Sequence, residues 1–157
     1  MRTTRPTEPK LPKYTPWPDV PATRRKTMAA IRSKDTAPEL AVRRFLHSEG
    51  YRFKVGRRVA GYRPDIVFTR RRKAVFVHGC FWHSHACGKR GGLPRTRSEY
   101  WQTKLAGNQR RDERAREALA AAGWGVLTVW ECEARREAFA ASLKAFLGPA
   151  RWPRRSS

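Results

Sequence analysis

The sequence predicts an α/β fold, one sheet with helices on its faces. Three observations predict it. Short apolar runs recur at residues 65–68 (DIVF), 74–77 (AVFV) and 124–130 (WGVLTVW). Segments with apolar residues at helical spacing lie before, between and after them. The chain of 157 residues suits one domain with a real core. Elements that each bury one face pack as layers, and helices on a sheet do so.

Residues 1–23 carry Pro at 6, 9, 12, 16, 18 and 21 and few apolar side chains besides Trp17. They read as a flexible, basic, partly extended arm. Residues 24–34 (RRKTMAAIRSK) read as a short basic helix. In KDTAPELAVRRFLHSEG, Thr36 and Glu39 form a T-x-x-E capping box and Pro38 suits the first turn. Val42, Phe45 and Leu46 make an apolar stripe, and Gly50 ends the helix. Tyr51, Phe53 and Val55 alternate with Arg52 and Lys54, as in a half-exposed strand. DIVF and AVFV flank the basic turn TRRRK (69–73), which predicts a hairpin of buried strands with Asp65 beside His78. Residues 79–97 read as a loop rich in Gly, Cys and His. A long helix is expected over 98–122, capped by Ser98 and stopped by Gly123. WGVLTVW is a further buried strand, and 134–147 a closing helix with Phe139, Leu143 and Phe146 on one side. The expected order is α–β–β–β–α–β–α. Residues 151–157 are a basic tail.

Lys and Arg number 35 against 13 Asp and Glu, a net charge of +22. The cations recur along the chain, as RRK at 24–26, TRRRK at 69–73 and QRRDERAR at 109–116. Such a charge repels itself unless a polyanion is the partner, and nucleic acid is the first expectation. An acidic membrane surface fits less well, because no long lipid-facing amphipathic stretch is present. No apolar run is long enough to span a bilayer and no signal-peptide centre is present, so the expected location is intracellular. Three cysteines, an odd number, argue against a disulfide framework and toward metal binding or free thiols.

The run HGCFWHSHACG at 78–88 concentrates the chemistry. Cys80, His85 and Cys87 stand in C-x4-H-x-C, and Cys132 follows the last strand. Three thiolates and one imidazole make a closed zinc site, which is structural. Spacing leaves His83 and His85 equally eligible as the fourth ligand; ordinary buried thiols are the plainer alternative. Asp65 starts a buried strand after GYRP, a position for a divalent cation or for a turn carboxylate paired with Arg. Asn108 and Asp112 interrupt the helix stripe of Trp101, Leu105, Ala115 and Leu119. Either they join a buried network or line a site, or the stripe rotates and leaves them half exposed. Asp112 suits the task of orienting a histidine.

MAAIRSKDTAPE, GYRPDIVF, VFVHGCFWHSHACG, RTRSEYWQTKLAGNQRRD and GWGVLTVWEC together resemble the very short patch repair (Vsr) DNA mismatch endonuclease family, in order across residues 28–132. The resemblance implies a restriction-endonuclease-like (PD-(D/E)XK-type) fold, a central mixed sheet flanked by helices with a structural zinc site, in a single endonuclease domain at 24–150. It implies a Mg²⁺-dependent, strand-specific nick 5′ to the thymine of a T·G mismatch left by deamination of 5-methylcytosine. On that resemblance Asp65 and the Val77 carbonyl bind Mg²⁺, and Glu39 reaches metal-bound water. His78 and His83 lie at the reaction centre, and Asn108 and Asp112 support it. The zinc ligands are Cys80, His85, Cys87 and Cys132. Val77 departs from a family residue that is often hydroxylic, and Ser84 and Ala86 thin the histidine run; every proposed ligand survives.

His83 is then the general acid or base, tuned by Asp112. Phe81 and Trp82 suit a wedge between base steps, with Met28 entering from the opposite groove. Expected partners are double-stranded DNA with a T·G mismatch, mismatch-repair proteins and a repair polymerase. A monomer in the bacterial cytoplasm, at the nucleoid, suffices. A non-catalytic zinc-containing DNA-binding module and a same-fold nuclease without mismatch specificity are the alternatives.

Overall fold

The computed structural model describes residues 21–23, 26, 34–87, 95 and 97–150. The Pro-rich arm before residue 21, most of the basic helix expected over 24–34, Met28 and the tail at 151–157 lie outside the described residues. The chain divides into two units, 1–34 and 35–157, and the sheet and the helices that pack on it lie in the second.

Helix α1 spans Ala37–Ser48. Thr36 is extended at its N-cap, and Pro38 sits in the first turn as expected. The capping box does not form in its usual way. The Thr36 hydroxyl donates to the Glu39 carboxylate at 2.9 Å and makes no bond to the helix backbone. Val42 and Leu46 are fully buried, and Gly50 turns the chain out with φ +84°, a conformation that favours glycine.

The strand expected over 51–55 does not form. Lys54 pairs with Val67 through two 2.9 Å backbone bonds, and the pairing stops there. Gly56, at φ +73°, bends the chain away from the extended path. Tyr51 stays buried, its hydroxyl donating to the Gly148 carbonyl at 2.7 Å.

Strands β1 (Ile66–Phe68) and β2 (Lys73–His78) form the expected antiparallel hairpin. Ile66 pairs with Val75 and Phe68 with Lys73. The register is therefore two residues tighter than a 65–78 pairing requires. A single 3₁₀ turn at Thr69–Arg71, with Arg72 left-handed, closes it. Strand β3 (Gly125–Trp130) adds parallel to β2, giving the order β1–β2–β3. A parallel neighbour needs a long crossover, and helix α2 (Ser98–Ala121) supplies it. Arg97, left-handed, is the N-cap, so Ser98 is the first helical residue and not the cap. Gly123 turns the chain at φ +76°, as expected. Only Val129 of β3 is buried, fewer residues than the sequence suggests, because β3 is an edge strand.

The closing helix is two helices, α3 (Glu131–Arg135) and α4 (Phe139–Leu147). Glu133 bends back to accept the Trp130 N–H at 2.8 Å, which starts a helix directly after β3. Left-handed Glu137 lies in the break. Phe139, Leu143 and Leu147 are buried, while Phe146 is half-buried beside them.

The pleat divides the core. Ile66, Phe68 and Val75 join Val42, Leu46 and Leu143 on one face. Val67 and Ala74 meet Leu119 on the other. Helices thus cover both faces of a mixed three-stranded sheet, the layered α/β arrangement expected. Leu46→Ala should destabilise the protein by about 2–5 kcal/mol in denaturant unfolding, whereas Val55→Ala, at an exposed position, should change it by less than about 0.5 kcal/mol.

Candidate active site and thiol cluster

The site stands at the ends of β2 and β3, where His78 pairs with Trp130. Gly79 follows, and a Cβ there would lie 3.2 Å from the Trp82 ring. Glycine lets the loop fold back so closely. Residues 79–87 then roll up through short bonds, His83 N–H to Gly79 at 3.2 Å and His85 N–H to Cys80 at 2.9 Å. The roll sends His83 and His85 to different neighbours.

His85 stacks on Trp130 with ring centres 4.1 Å apart, its Nδ1 3.6 Å from the Cys132 sulfur. The ligand atoms of Cys80, His85, Cys87 and Cys132 all lie within 4.8 Å of one another. The structure thus groups His85, and not His83, with the thiols. Burial first pushes the Cys80 thiol up to about 12; a backbone hydrogen bond with Cys132 opposes this, and side-chain hydrogen bonds with Cys87 and Cys132 add to it. Thiols so crowded resist ionising without a cation among them. Three sulfurs and an imidazole are a donor set that suits zinc.

His83 turns to α2. Its Nδ1 hydrogen-bonds the Asp112 carboxylate, and its ring stacks on His78 at 3.9 Å. His78 Nδ1 is 3.9 Å from the same carboxylate oxygen. His78 is buried, and burial first, then the neighbouring His83, lowers its pKa to about 4, so it is neutral at pH 7. Asn108, one turn before Asp112, donates to the Trp82 carbonyl at 2.8 Å. The two polar residues of the helix stripe are half-buried, and both tie down the loop. That combines the two readings left open by the sequence.

Asp65 does not meet His78 across the hairpin, because of the tighter register. Its Oδ2 accepts the Val77 N–H at 2.7 Å. An extended residue presents N–H and C=O to the same edge, so the Val77 carbonyl faces that side too. Burial raises the Asp65 pKa to about 6; the Val77 N–H opposes this, and the charge of Glu39 adds to it. Glu39, only 4% exposed, accepts the Asp35 N–H at 3.0 Å, the Thr36 hydroxyl and the Arg43 guanidinium.

Phe81 and Trp82 are half-buried, edge to face at 5.1 Å, and both pack on Trp101. The Lys104 ammonium lies 5.0 Å from the Trp82 ring centre and 5.4 Å from that of Trp101. The helical stripe places Trp101 in the core but says nothing of its union with the loop aromatics, and nothing in the pattern singles out Lys104 or Arg43. A cavity of about 670 Å³, lined by Tyr51, Phe53, Phe68 and Arg70, lies at the hairpin-turn end of the sheet. No group of the site lines it.

A histidine–carboxylate centre beside a thiol cluster, at one end of a mixed sheet, defines a class: a strongly basic α/β protein with two groups of metal-ligating side chains. The family described as DNA mismatch endonuclease Vsr matches residues 19–89. The type II nicking enzyme V.XorIIP of Xanthomonas oryzae pv. oryzae is 53% identical over 113 residues, covering 72% of this chain and 82% of that protein. The DNA mismatch endonuclease Vsr of Escherichia coli is 43% identical over 114 residues, 73% and 72% of the two chains. The type II nicking enzyme V.NmeAIP of Neisseria meningitidis is 41% identical over 112 residues, 71% and 79%. The chain belongs to the Vsr DNA mismatch endonuclease family.

The two shifted groups oppose each other in acid. With its pKa near 4, folded His78 refuses a proton that the unfolded chain binds between pH 6.5 and 4, so stability falls as pH falls. Folded Asp65, near 6, holds a proton that the unfolded chain releases above 3.8, so stability rises as pH falls. Asp65→Asn removes the second contribution. In Mg²⁺-free buffer the variant should lose about 2 kcal/mol more than wild type between pH 6.5 and 4. Thermal unfolding across that range measures it; parallel curves would contradict the assignment.

Proposed function

We propose that this protein nicks one strand of double-stranded DNA 5′ to the thymine of a T·G mismatch, in a Mg²⁺-dependent hydrolysis that initiates very short patch repair. The observation that carries the reading is the convergence, in a chain of net charge +22, of Asp65, Glu39 and the His83–Asp112 pair at the sheet end that bears the thiol cluster. The names of the relatives, nicking enzymes and a mismatch endonuclease, agree with a single-strand cut at a mispair. The mixed sheet with helices on both faces accords with the proposed restriction-endonuclease-like fold.

Asp65 and the Val77 carbonyl would hold Mg²⁺, with Glu39 beside them. The buried carboxylate, its charge disfavoured where it stands, fits such a cation. Bound there, Mg²⁺ supplies Lewis acidity and offsets charge on the phosphate. His83 moves the proton through Nε2, while Asp112 fixes the ring through Nδ1. His78, neutral and stacked on His83, contacts the scissile phosphate. Cys80, His85, Cys87 and Cys132 would hold Zn²⁺, which stabilises the loop and takes no part in the proton transfers. Asn108 holds the Trp82 carbonyl, so the Phe81–Trp82 wedge leaves a fixed base when it enters the stack. A T·G mispair lowers the cost of that entry, and Met28 would enter from the opposite groove. We place the enzyme, as a monomer, in the bacterial cytoplasm at the nucleoid. Mismatch-repair proteins and a repair polymerase are its proposed partners. The domain limits proposed are an arm at 1–23, an endonuclease domain at 24–150 and a basic tail at 151–157.

Nicking of a T·G duplex should vanish in Asp65→Ala while duplex binding persists; equal nicking by variant and wild type would refute the Mg²⁺ assignment. His83→Ala should slow single-turnover nicking by about 10²–10⁴-fold. A T·A duplex of the same flanking sequence should remain uncut, and equal cutting of both would favour a nuclease without mismatch specificity. Elemental analysis should find one zinc per chain, and Cys132→Ser should lose it together with several degrees of melting temperature.

A further inference from the structure

We propose that Arg43 is a positioning residue for nicking, a half-buried fork that fixes the orientation of the Glu39 carboxylate; this rests on the role proposed for Glu39. Most of the described cations are at the surface, but the Arg43 side chain is only 13% exposed. One guanidinium nitrogen lies 2.6 Å from Asp35, and the other 3.0 Å from Glu39 one helical turn back. The Glu39 side chain is only 6% exposed, whereas that of Asp35 is 52% exposed. The fork therefore anchors a buried carboxylate to a surface one.

A largely covered arginine is costly unless its charge is matched, and surface pairs hold little; both terminal nitrogens of Arg43 are matched, while its Nε has no partner among the described residues. Glu39 has about four acceptor positions, and the Asp35 N–H, the Thr36 hydroxyl and Arg43 occupy three. Among the described residues, that leaves one acceptor position, suited to holding a single water molecule. The charge of Arg43 also reaches Asp65, whose carboxylate Glu39 repels. One planar cation thus fixes Glu39 and acts on Asp65 through its charge. A lysine would keep the charge but lose the fork.

The test is single-turnover nicking of a T·G duplex at saturating Mg²⁺, with duplex affinity measured separately in Mg²⁺-free buffer. Arg43→Lys should slow nicking about tenfold or more and leave duplex affinity within about twofold, because small displacements of a reacting constellation are felt in the rate. Glu39→Gln should slow nicking as well, and Arg43→Lys added to Glu39→Gln should slow it no further, since Arg43 acts through Glu39. Asp35→Asn, at the exposed end of the fork, should show a smaller loss of the same kind and carries the test if Arg43→Lys does not fold. Glu39→Gln slow with Arg43→Lys at the wild-type rate overturns the proposal alone. So does an equal Arg43→Lys loss in both backgrounds. Glu39→Gln at the wild-type rate instead overturns the reading of Glu39 on which the proposal rests.

Discussion

Residues 79–87 belong to no strand and no helix, and the rest of the site depends on how they are tied down. Two sets of ties do it from opposite sides. On one side His85 and three thiols gather near the ends of β3 and α3. On the other, Asn108 and Asp112 of α2 hold the Trp82 carbonyl and the His83 ring. Both sides are anchored to the sheet, because β3 runs parallel to β2 and brings Cys132 back beside the loop. A parallel strand needs the long α2 crossover, so the helix that closes the topology is also the helix that orients His83.

Burial then separates the chemistry of similar groups. His78 and His83 stack ring on ring and share one carboxylate, yet burial keeps His78 neutral while Asp112 is hydrogen-bonded to His83. Asp65 has the reverse problem: its burial disfavours the charge that a cation needs, and one backbone N–H opposes this only in part. A divalent cation resolves that conflict in the proposed enzyme. In the thiol cluster, burial and neighbouring thiols likewise resist the ionisation of Cys80.

Much of this was legible in the sequence where a pattern reports a physical period. The hairpin, the long helix and the burial of Val42, Leu46, Leu119 and Leu143 follow from alternation and helical spacing. Turn chemistry was less legible. The TRRRK segment folds as a 3₁₀ turn with Arg72 left-handed, which shifts the register and moves Asp65 from His78 to the Val77 backbone. Gly56 prevents a strand that the alternation of Tyr51 and Phe53 suggests, and Glu133 begins a helix that apolar spacing alone places later. The partition of His83 and His85 was invisible to spacing, since two residues apart on a loop carries no fixed geometry. The family resemblance named His85, and the coordinates group it with the cysteines. Arg43 stayed hidden among 35 cations because its fork between Asp35 and Glu39 leaves no mark in the spacing.

The central claim is that one loop keeps two histidines apart in function, His85 for the thiol cluster and His83 for the reaction. X-ray absorption at the zinc edge tests it most directly. Wild type and His83→Ala should both show three sulfur neighbours and one nitrogen, with nicking slowed only in the variant. His85→Ala should lose the nitrogen neighbour. An unchanged zinc spectrum in His85→Ala, or a nitrogen lost in His83→Ala, would contradict that partition.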